Sequence, residues 1–196
     1  MSNIAFFDFD GTITKKDSLI DFIRFVVGDI KFFFGFVFLI PMLILFKLKI
    51  INNNRAKEIL LSYFFKGWSE AKFVELTNSY SLNNINKILR PQALERINWH
   101  KKQDHRIVVV TASIDHWILP WCEQNNLDLI ATKLEIKNGK ISGKYLGKNC
   151  YGIEKVNRIK ELYDLSKYNK IYAYGDSKGD KEMLALADES FYKTFI

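Results

Sequence analysis

Residues 106–111 read RIVVVT, a run of β-branched side chains that suits a short buried strand. Residues 3–9 (NIAFFDF) form a second such run, and this one ends in acids. Residues 127–132 (LDLIAT) and 170–174 (KIYAY) are further short strand candidates, and residues 190–196 a last one. Between them lie helical patterns at 92–104, 115–125, 154–164 and 178–187, with Pro120 a mark against regularity in the second. Strands alternating with helices predict a parallel sheet covered on both faces, with ligands bound at the C-terminal strand ends. Residues 133–148 read instead as a hairpin turning at Asn138-Gly139.

Residues 17–88 break this alternation and hold no convincing strand. Ser18 and Asp21 suggest a capping box that opens a helix through Val27. Helices are expected over 55–66 and 69–80, and Asn52, Asn53 and Asn54 suggest a loop. Within this insert, residues 32–46 (FFFGFVFLIPMLILF) carry no charged side chain and are bracketed by Lys31 and Lys47.

A chain of 196 residues with 48% hydrophobic and 26% charged residues fits one globular domain with a smaller insert, not a disordered segment. The net charge of +7 favours anionic partners. No nucleic-acid motif is present, and the aromatics cluster in apolar runs rather than among the basic residues, so nucleic acid is not expected. Cys122 and Cys150 stand outside any metal-ligand spacing and read as free thiols of a reducing cytoplasm. Asp8 and Asp10 interrupt the apolar start and no basic stretch precedes it, so no secretory leader is expected.

Four polar clusters fall at strand ends or helix starts. Asp8 to Thr12 (DFDGT) place two carboxylates one residue apart before a glycine. Alone, that suits a calcium loop or a plain turn equally well. Thr111 to Ser113 (TAS) offer hydroxyls and N–H groups to an anion, or a helix cap. Lys155 lies near the start of a helix preceded by Gly152, and residues 175–180 (GDSKGD) bring two further acids after a strand.

In this order the four clusters resemble the signature motifs of the haloacid dehalogenase superfamily of phosphatases and phosphotransferases, over about residues 3–16 and 90–190. The resemblance implies an α/β fold. Its core would be a Rossmann-like parallel sheet flanked by helices, built from residues 1–16 and 88–196, with a helical cap at 17–87. It also implies that Asp8 is a nucleophile that becomes an aspartyl-phosphate. Asp10 would protonate the leaving oxygen and then deprotonate water. Thr111 would hydrogen-bond the transferring phosphoryl group, and Lys155 would neutralise it and orient Asp8. Mg²⁺ would be held by Asp8, Asp176 and the main-chain carbonyl of Asp10, with Asp180 supporting the metal site. Gly11 and Ser113 would add substrate contacts. The physics agrees: a phosphomonoester dianion repels a carboxylate nucleophile, so a cation and a lysine must cancel charge between them. Dehalogenating members lack the acid that Asp10 supplies, which favours phosphoryl chemistry.

The insert after the first motif resembles the cap of the branch that contains phosphoserine phosphatase. Asp17 stands where that branch carries a glutamate that reads the substrate amine, so it is either a substrate contact or a cap of the following helix. Closer still is the resemblance to the phosphatidylglycerophosphatase C-like proteins. These share the D-G-T-x-x-x-x-D start, a very apolar cap and the third motif CYGIEKV at residues 150–156. The implied substrate is a phosphorylated small molecule or a lipid head group, at a cytoplasmic site with peripheral membrane contact; a non-catalytic membrane-associated binding protein on the same fold is the further alternative, and the intact acids and lysine speak against it.

The apolar run tests that picture. As a helix, 15 residues span roughly 22 Å, short of a hydrocarbon core of about 30 Å. A lone crossing would also separate Asp8 from Thr111, Lys155 and Asp176. The run is therefore expected to be a helix–bend–helix around Pro41. Its apolar side either packs internally or dips into the membrane interface.

Overall fold

All four residues of β1 (Ile4–Phe7) are buried, because the strand lies at the centre of a six-stranded sheet covered on both faces. A computed structural model describes residues 2–196. Its other strands are β2 (Arg106–Ile114), β3 (Asp128–Lys137), β4 (Lys140–Leu146), β5 (Ile171–Gly175) and β6 (Glu189–Tyr192), in the order β4-β3-β2-β1-β5-β6. All neighbours are parallel except the β3–β4 hairpin. The chain leaves β1 for β2 on one side and later returns to β5 on the other. The C-terminal ends of these three strands therefore meet where the direction of winding reverses, the usual ligand position in such sheets.

The residues between β1 and β2 are helical: α1 (Ser18–Phe38), α2 (Ile40–Lys47), α3 (Asn53–Phe65), α4 (Glu70–Asn83), α5 (Ile85–Ile88) and α6 (Pro91–Lys102). Then come α7 (Asp115–Gln124) after β2, α8 (Ile153–Leu162) after β4 and α9 (Lys181–Leu184) after β5. The period-2 alternation of β1 divides the core. Ile4 and Phe6 pack with Ile159 of α8 and Met183 of α9. Ala5 and Phe7 face the larger cluster that contains Ile97 of α6, Trp117 of α7 and the buried residues of α1, α3 and α4. Phe22 of α1 stacks on Trp117 at 5.0 Å and meets Phe65, Phe73 and Tyr80 around it. The helical insert is thus seated on the sheet domain by an aromatic cluster.

Several elements differ from the sequence expectations. Thr111 and Ser113 lie inside β2, which runs on to Ile114 past a register shift. The strand expected at 127–132 and the first hairpin arm are one strand, β3. The helix expected at 178–187 is a 3₁₀ turn (Lys178–Asp180) followed by the short α9, because Ser177 and Asp180 cap each other there. The expected asparagine loop is a helix start: the Asn52 side chain accepts from Arg55 N–H, and Asn53 and Asn54 begin α3. Asp17, not Ser18, caps α1, accepting from the N–H groups of Leu19 and Ile20. Asp21 instead accepts from the Tyr80 hydroxyl.

The helix expected to end at Val27 continues as α1 to Phe38, across a break at Gly28 (φ 75°, ψ 167°). A bend of 59° follows at Leu39, and Pro41 sits in the first turn of α2, where its missing N–H costs nothing. Among the described residues no single helix is long and apolar enough to cross a membrane; α1 and α2 pass that test only together, as a bent pair.

His100 of α6 is fully buried, with Nε2 2.9 Å from the Tyr174 hydroxyl and Nδ1 2.8 Å from His105 Nδ1. Burial, aided by the charges of Arg96 and His105, pushes it down to about 3. Below about pH 6.5 the unfolded chain takes up a proton that the folded chain refuses. This contribution to stability is therefore complete above pH 6.5 and lost as pH falls, by about 2 kcal/mol at pH 5. In denaturant unfolding at pH 7.5 and pH 5, His100→Gln is expected to lose about 2 kcal/mol less than wild type over that interval. An identical loss in both proteins would contradict this.

Candidate active site

Asp8 leaves β1 with its N–H bonded to Tyr174 O of β5 at 2.9 Å. The chain then turns sharply at Gly11 (φ 87°), where an added Cβ would lie 2.4 Å from Asp176 Oδ2. Gly11 thus allows both the turn and the close approach of the two acids. Thr12 comes back over them: its hydroxyl lies 3.3 Å from Asp8 Oδ2 and 3.3 Å from Asp176 Oδ1.

Lys155 rises from the first turn of α8 and is 1% exposed. Its ammonium donates to Asp8 Oδ1 at 2.6 Å, Asp180 Oδ1 at 2.6 Å and Val110 O at 2.7 Å, which uses all three of its protons. Burial opposes its charge, but the two carboxylates outweigh that and raise its pKa. Asp180 Oδ2 accepts from Asp176 N–H, Ser177 N–H and the Ser177 hydroxyl. Burial works against the Asp180 charge, yet Lys155 and Ser177 hold its pKa below the usual carboxylate range. Burial pushes Asp8 up to about 7 against the pull of Lys155, and also raises the half-buried Asp176, with the Asp180 charge adding to the shift.

Asp10 points elsewhere. Its Oδ1 accepts from Ser18 N–H at 2.7 Å and its Oδ2 from the Ser113 hydroxyl. Burial first, then the Asp17 charge, push it up to about 6, while Lys57 works the other way. That suits a group that must hold and release a proton near neutrality. The Thr111 hydroxyl accepts from Ser113 N–H at 3.0 Å.

Asp8, Asp10, Thr111, Lys155 and Asp180 line one cleft of about 380 Å³. Asp17 lines it too, while its Oδ1 caps α1. Phe46, Asn53 and Lys57 bring the helical insert to the same cleft. Sequence reasoning missed Thr12, Ser18, Lys57 and Phe46 as site residues. Thr12 had a local signal, a hydroxyl directly after the turn glycine. Lys57 and Phe46 had none, because only the folding of the insert over the strand ends brings them here.

Asp8, Asp176 and Asp180 offer carboxylate oxygens within 4.8 Å of one another. Three carboxylates against one ammonium leave two negative charges, and an all-oxygen donor set suits a hard divalent cation. Asp180 is already saturated by its hydrogen bonds, so Asp8 and Asp176 are the residues left to bind such an ion directly. Lys155→Met would leave two buried carboxylates without their cation. It is expected to lose about 3–5 kcal/mol in urea unfolding at neutral pH. Stability equal to wild type would show that the buried bridge is not structural.

The sequence model of the haloacid dehalogenase-like hydrolases matches residues 5–185. Protein CicA of Caulobacter vibrioides is 35% identical over 191 residues, covering 96% of this chain and 85% of CicA. A probable phosphatase of Mycobacterium tuberculosis is 27% identical over 192 residues, covering 92% of this chain and 64% of that protein. Among solved structures, a Bordetella pertussis Tohama I protein of unknown function superposes with a TM-score of 0.81 at 22% identity, covering 97% of this chain and 89% of that one. A phosphoserine phosphatase holding a phospho-aspartyl intermediate analogue superposes with a TM-score of 0.68 at 19% identity, covering 96% and 85%. The motif order, the strand-end geometry and the match over nearly the whole sheet domain lead to one conclusion: the chain belongs to the haloacid dehalogenase-like hydrolases and is an enzyme of that family.

Proposed function

We propose that the enzyme hydrolyses phosphomonoesters through a phosphorylated Asp8, and that its substrate phosphate is carried on a lipid such as phosphatidylglycerophosphate. In this reading residues 1–16 and 88–196 are the catalytic core and residues 17–87 the cap. The observation that carries the proposal is the cleft itself. Its floor is a buried carboxylate–lysine bridge at Asp8, and its cap wall presents Phe46, from the apolar run, and Lys57.

Asp8 attacks phosphorus, forming an acyl-phosphate bond as the bond to the leaving oxygen breaks. Asp10, whose pKa burial lifts to about 6, gives the proton of its protonated form to that oxygen. Asp10 then takes a proton from water as the water attacks the aspartyl-phosphate, releasing phosphate and restoring both carboxyl groups. The Thr111 hydroxyl and the Gly11 backbone contact the phosphoryl group, and Lys155 orients Asp8 and offsets its charge; Ser113, expected as a substrate contact, is buried with its hydroxyl on Asp10 and its N–H on Thr111, and positions those two side chains instead. Mg²⁺ is the cation proposed for Asp8 and Asp176, with the Asp10 carbonyl as a further ligand and Asp180 in support; when bound it supplies neutralisation of the phosphate charge.

A small soluble monoester is the second reading. It is favoured by Asp17, which lines the cleft and would meet an amine there. Both readings place the enzyme in the cytoplasm, the lipid reading at the inner face of its membrane.

Phosphate release should require Mg²⁺ and stop with chelator. Asp8→Asn should lose at least about a thousandfold in kcat. Equal inertness of wild type and Asp8→Asn over a broad ester panel would overturn the enzymatic reading. In that panel, detergent-dispersed phosphatidylglycerophosphate should be turned over in preference to phosphoserine; the reverse order would leave only the soluble reading.

A further inference from the structure

A second cleft, of about 530 Å³, lies within the helical insert. It shares no lining residue with the catalytic cleft. It opens at the break in α1: Val26 and Val27 precede Gly28 on one arm, and Lys31 and Phe34 follow it on the other. Gly28 adopts φ 75°, a conformation that side chains with a Cβ rarely take, so the break is built into the sequence. Phe64, at the end of α3, and Trp68 complete the wall, and Lys72 of α4 stands at the rim. This volume lies within the usual range for small-molecule sites.

The charges in this cleft have one sign. Lys31 and Lys72 line it, and no carboxylate does. The Lys31 ammonium makes no hydrogen bond or ion pair among the described residues, and that of Lys72 lies 4.9 Å from the Trp68 ring centre. An apolar groove rimmed by two ammonium groups complements an amphiphile with an anionic head.

The cleft also opens onto the most apolar surface of the molecule. Half of the exposed large hydrophobic side chains among the described residues come from positions 30–50. Phe34 belongs to both, lining the cleft while 65% exposed, beside Phe33 at 63% and Phe38 at 70%. The surface continues along α2 to Phe46, which lines the catalytic cleft. Apolar area on this scale is uncommon on a surface facing only water, and Lys31, Lys47 and Lys49 border it. These features together select an anionic bilayer surface as the occupant.

We propose that this groove holds a single anionic phospholipid of the membrane, with an acyl chain against Val26, Phe34 and Trp68 and the phosphate at Lys31 and Lys72. The bound lipid anchors the helical insert to the leaflet. It is a site separate from catalysis, and it stands whether the catalytic cleft takes a lipid or a soluble ester.

The probe is a vesicle of phosphatidylglycerol in phosphatidylcholine, with brominated acyl chains for fluorescence quenching. Wild type should co-sediment with these vesicles and bind pure phosphatidylcholine at least about tenfold more weakly. The double variant Lys31→Gln/Lys72→Gln should bind the anionic vesicles about thirtyfold more weakly, roughly fivefold for each lysine near an anionic surface. Its melting temperature should match wild type, since both side chains are exposed. Bromine should quench the tryptophan emission, and Trp68→Phe should abolish most of that quenching, because Trp117 and Trp121 are buried in the core and the exposed Trp99 lies on α6, packed against His100 and His105 and outside the groove. Three results would overturn the proposal: equal affinity for neutral and anionic vesicles, unchanged affinity in the double variant, or quenching that survives Trp68→Phe. Self-association of the protein with no vesicle binding would do so as well, by assigning the face to a second copy.

Discussion

The bridge from Lys155 to Asp8, Asp180 and Val110 O holds the centre of the molecule together. A buried ammonium is tolerated only when its charge is balanced and each of its protons has an acceptor. Here the three acceptors come from the end of β1, from the middle of β2 and from the turn after β5. One lysine therefore ties together the three chain segments that form the floor of the cleft. Asp180 serves this bridge from the far side: Lys155 and the Ser177 turn occupy its oxygens, so its main work is to hold Lys155 and the chain after β5 in place. Asp8 shares the lysine yet is raised by burial, which leaves it responsive to any cation that joins it.

The two acids of the first motif have separated environments although only Phe9 lies between them. Asp8 faces the lysine. Asp10 turns to Ser113 and Ser18, and the negative charge of Asp17 stands nearby. Burial raises Asp8 to about 7 and Asp10 to about 6, so the opposite protonation states that the proposed nucleophile and proton carrier need would follow only when a cation beside Asp8 lowers its pKa. The serine contacts tie Asp10 to the insert: Ser18 opens α1, bonds Asp10 through its N–H, and accepts the Trp117 indole proton. The seating of α1 on α7 and the setting of Asp10 are thus mechanically linked.

The same insert has two characters. Its inner side is an aromatic cluster of fully buried rings around Phe22. Its outer side, from the second arm of α1 through α2, leaves phenylalanines and isoleucines in the open. Of the two fates expected for the apolar run, internal packing accounts for only part of it, including Gly35, Leu39 and Met42. The break at Gly28 and the bend at Leu39 are what keep the rest on one outward surface rather than in a straight rod.

Much of this was readable along the chain, because the signals were local. A strand needs β-branched or aromatic neighbours, and its end needs residues that can turn. Both requirements are met within a few positions, so β1, β2, β5 and the acids that follow β1 and β5 could be found by inspection. The Asn138-Gly139 hairpin was legible for the same reason. The errors were of another kind. Ser18 looked like a cap and Asn52 like part of a loop because several short polar residues stood together, and which of them caps a helix depends on how the chain enters it. Lys155, alone in the sequence, looks like an ordinary solvated lysine; only folding places acceptors from residues 8, 110 and 180 around it. Residue chemistry and spacing were enough to establish the kinds of groups present and their order. Which carboxylate meets the lysine, which turns away, and which wall of the cleft is apolar were settled by contacts between segments far apart in the chain. Burial and charge pairing, the forces that set those outcomes, act through space and not along the backbone.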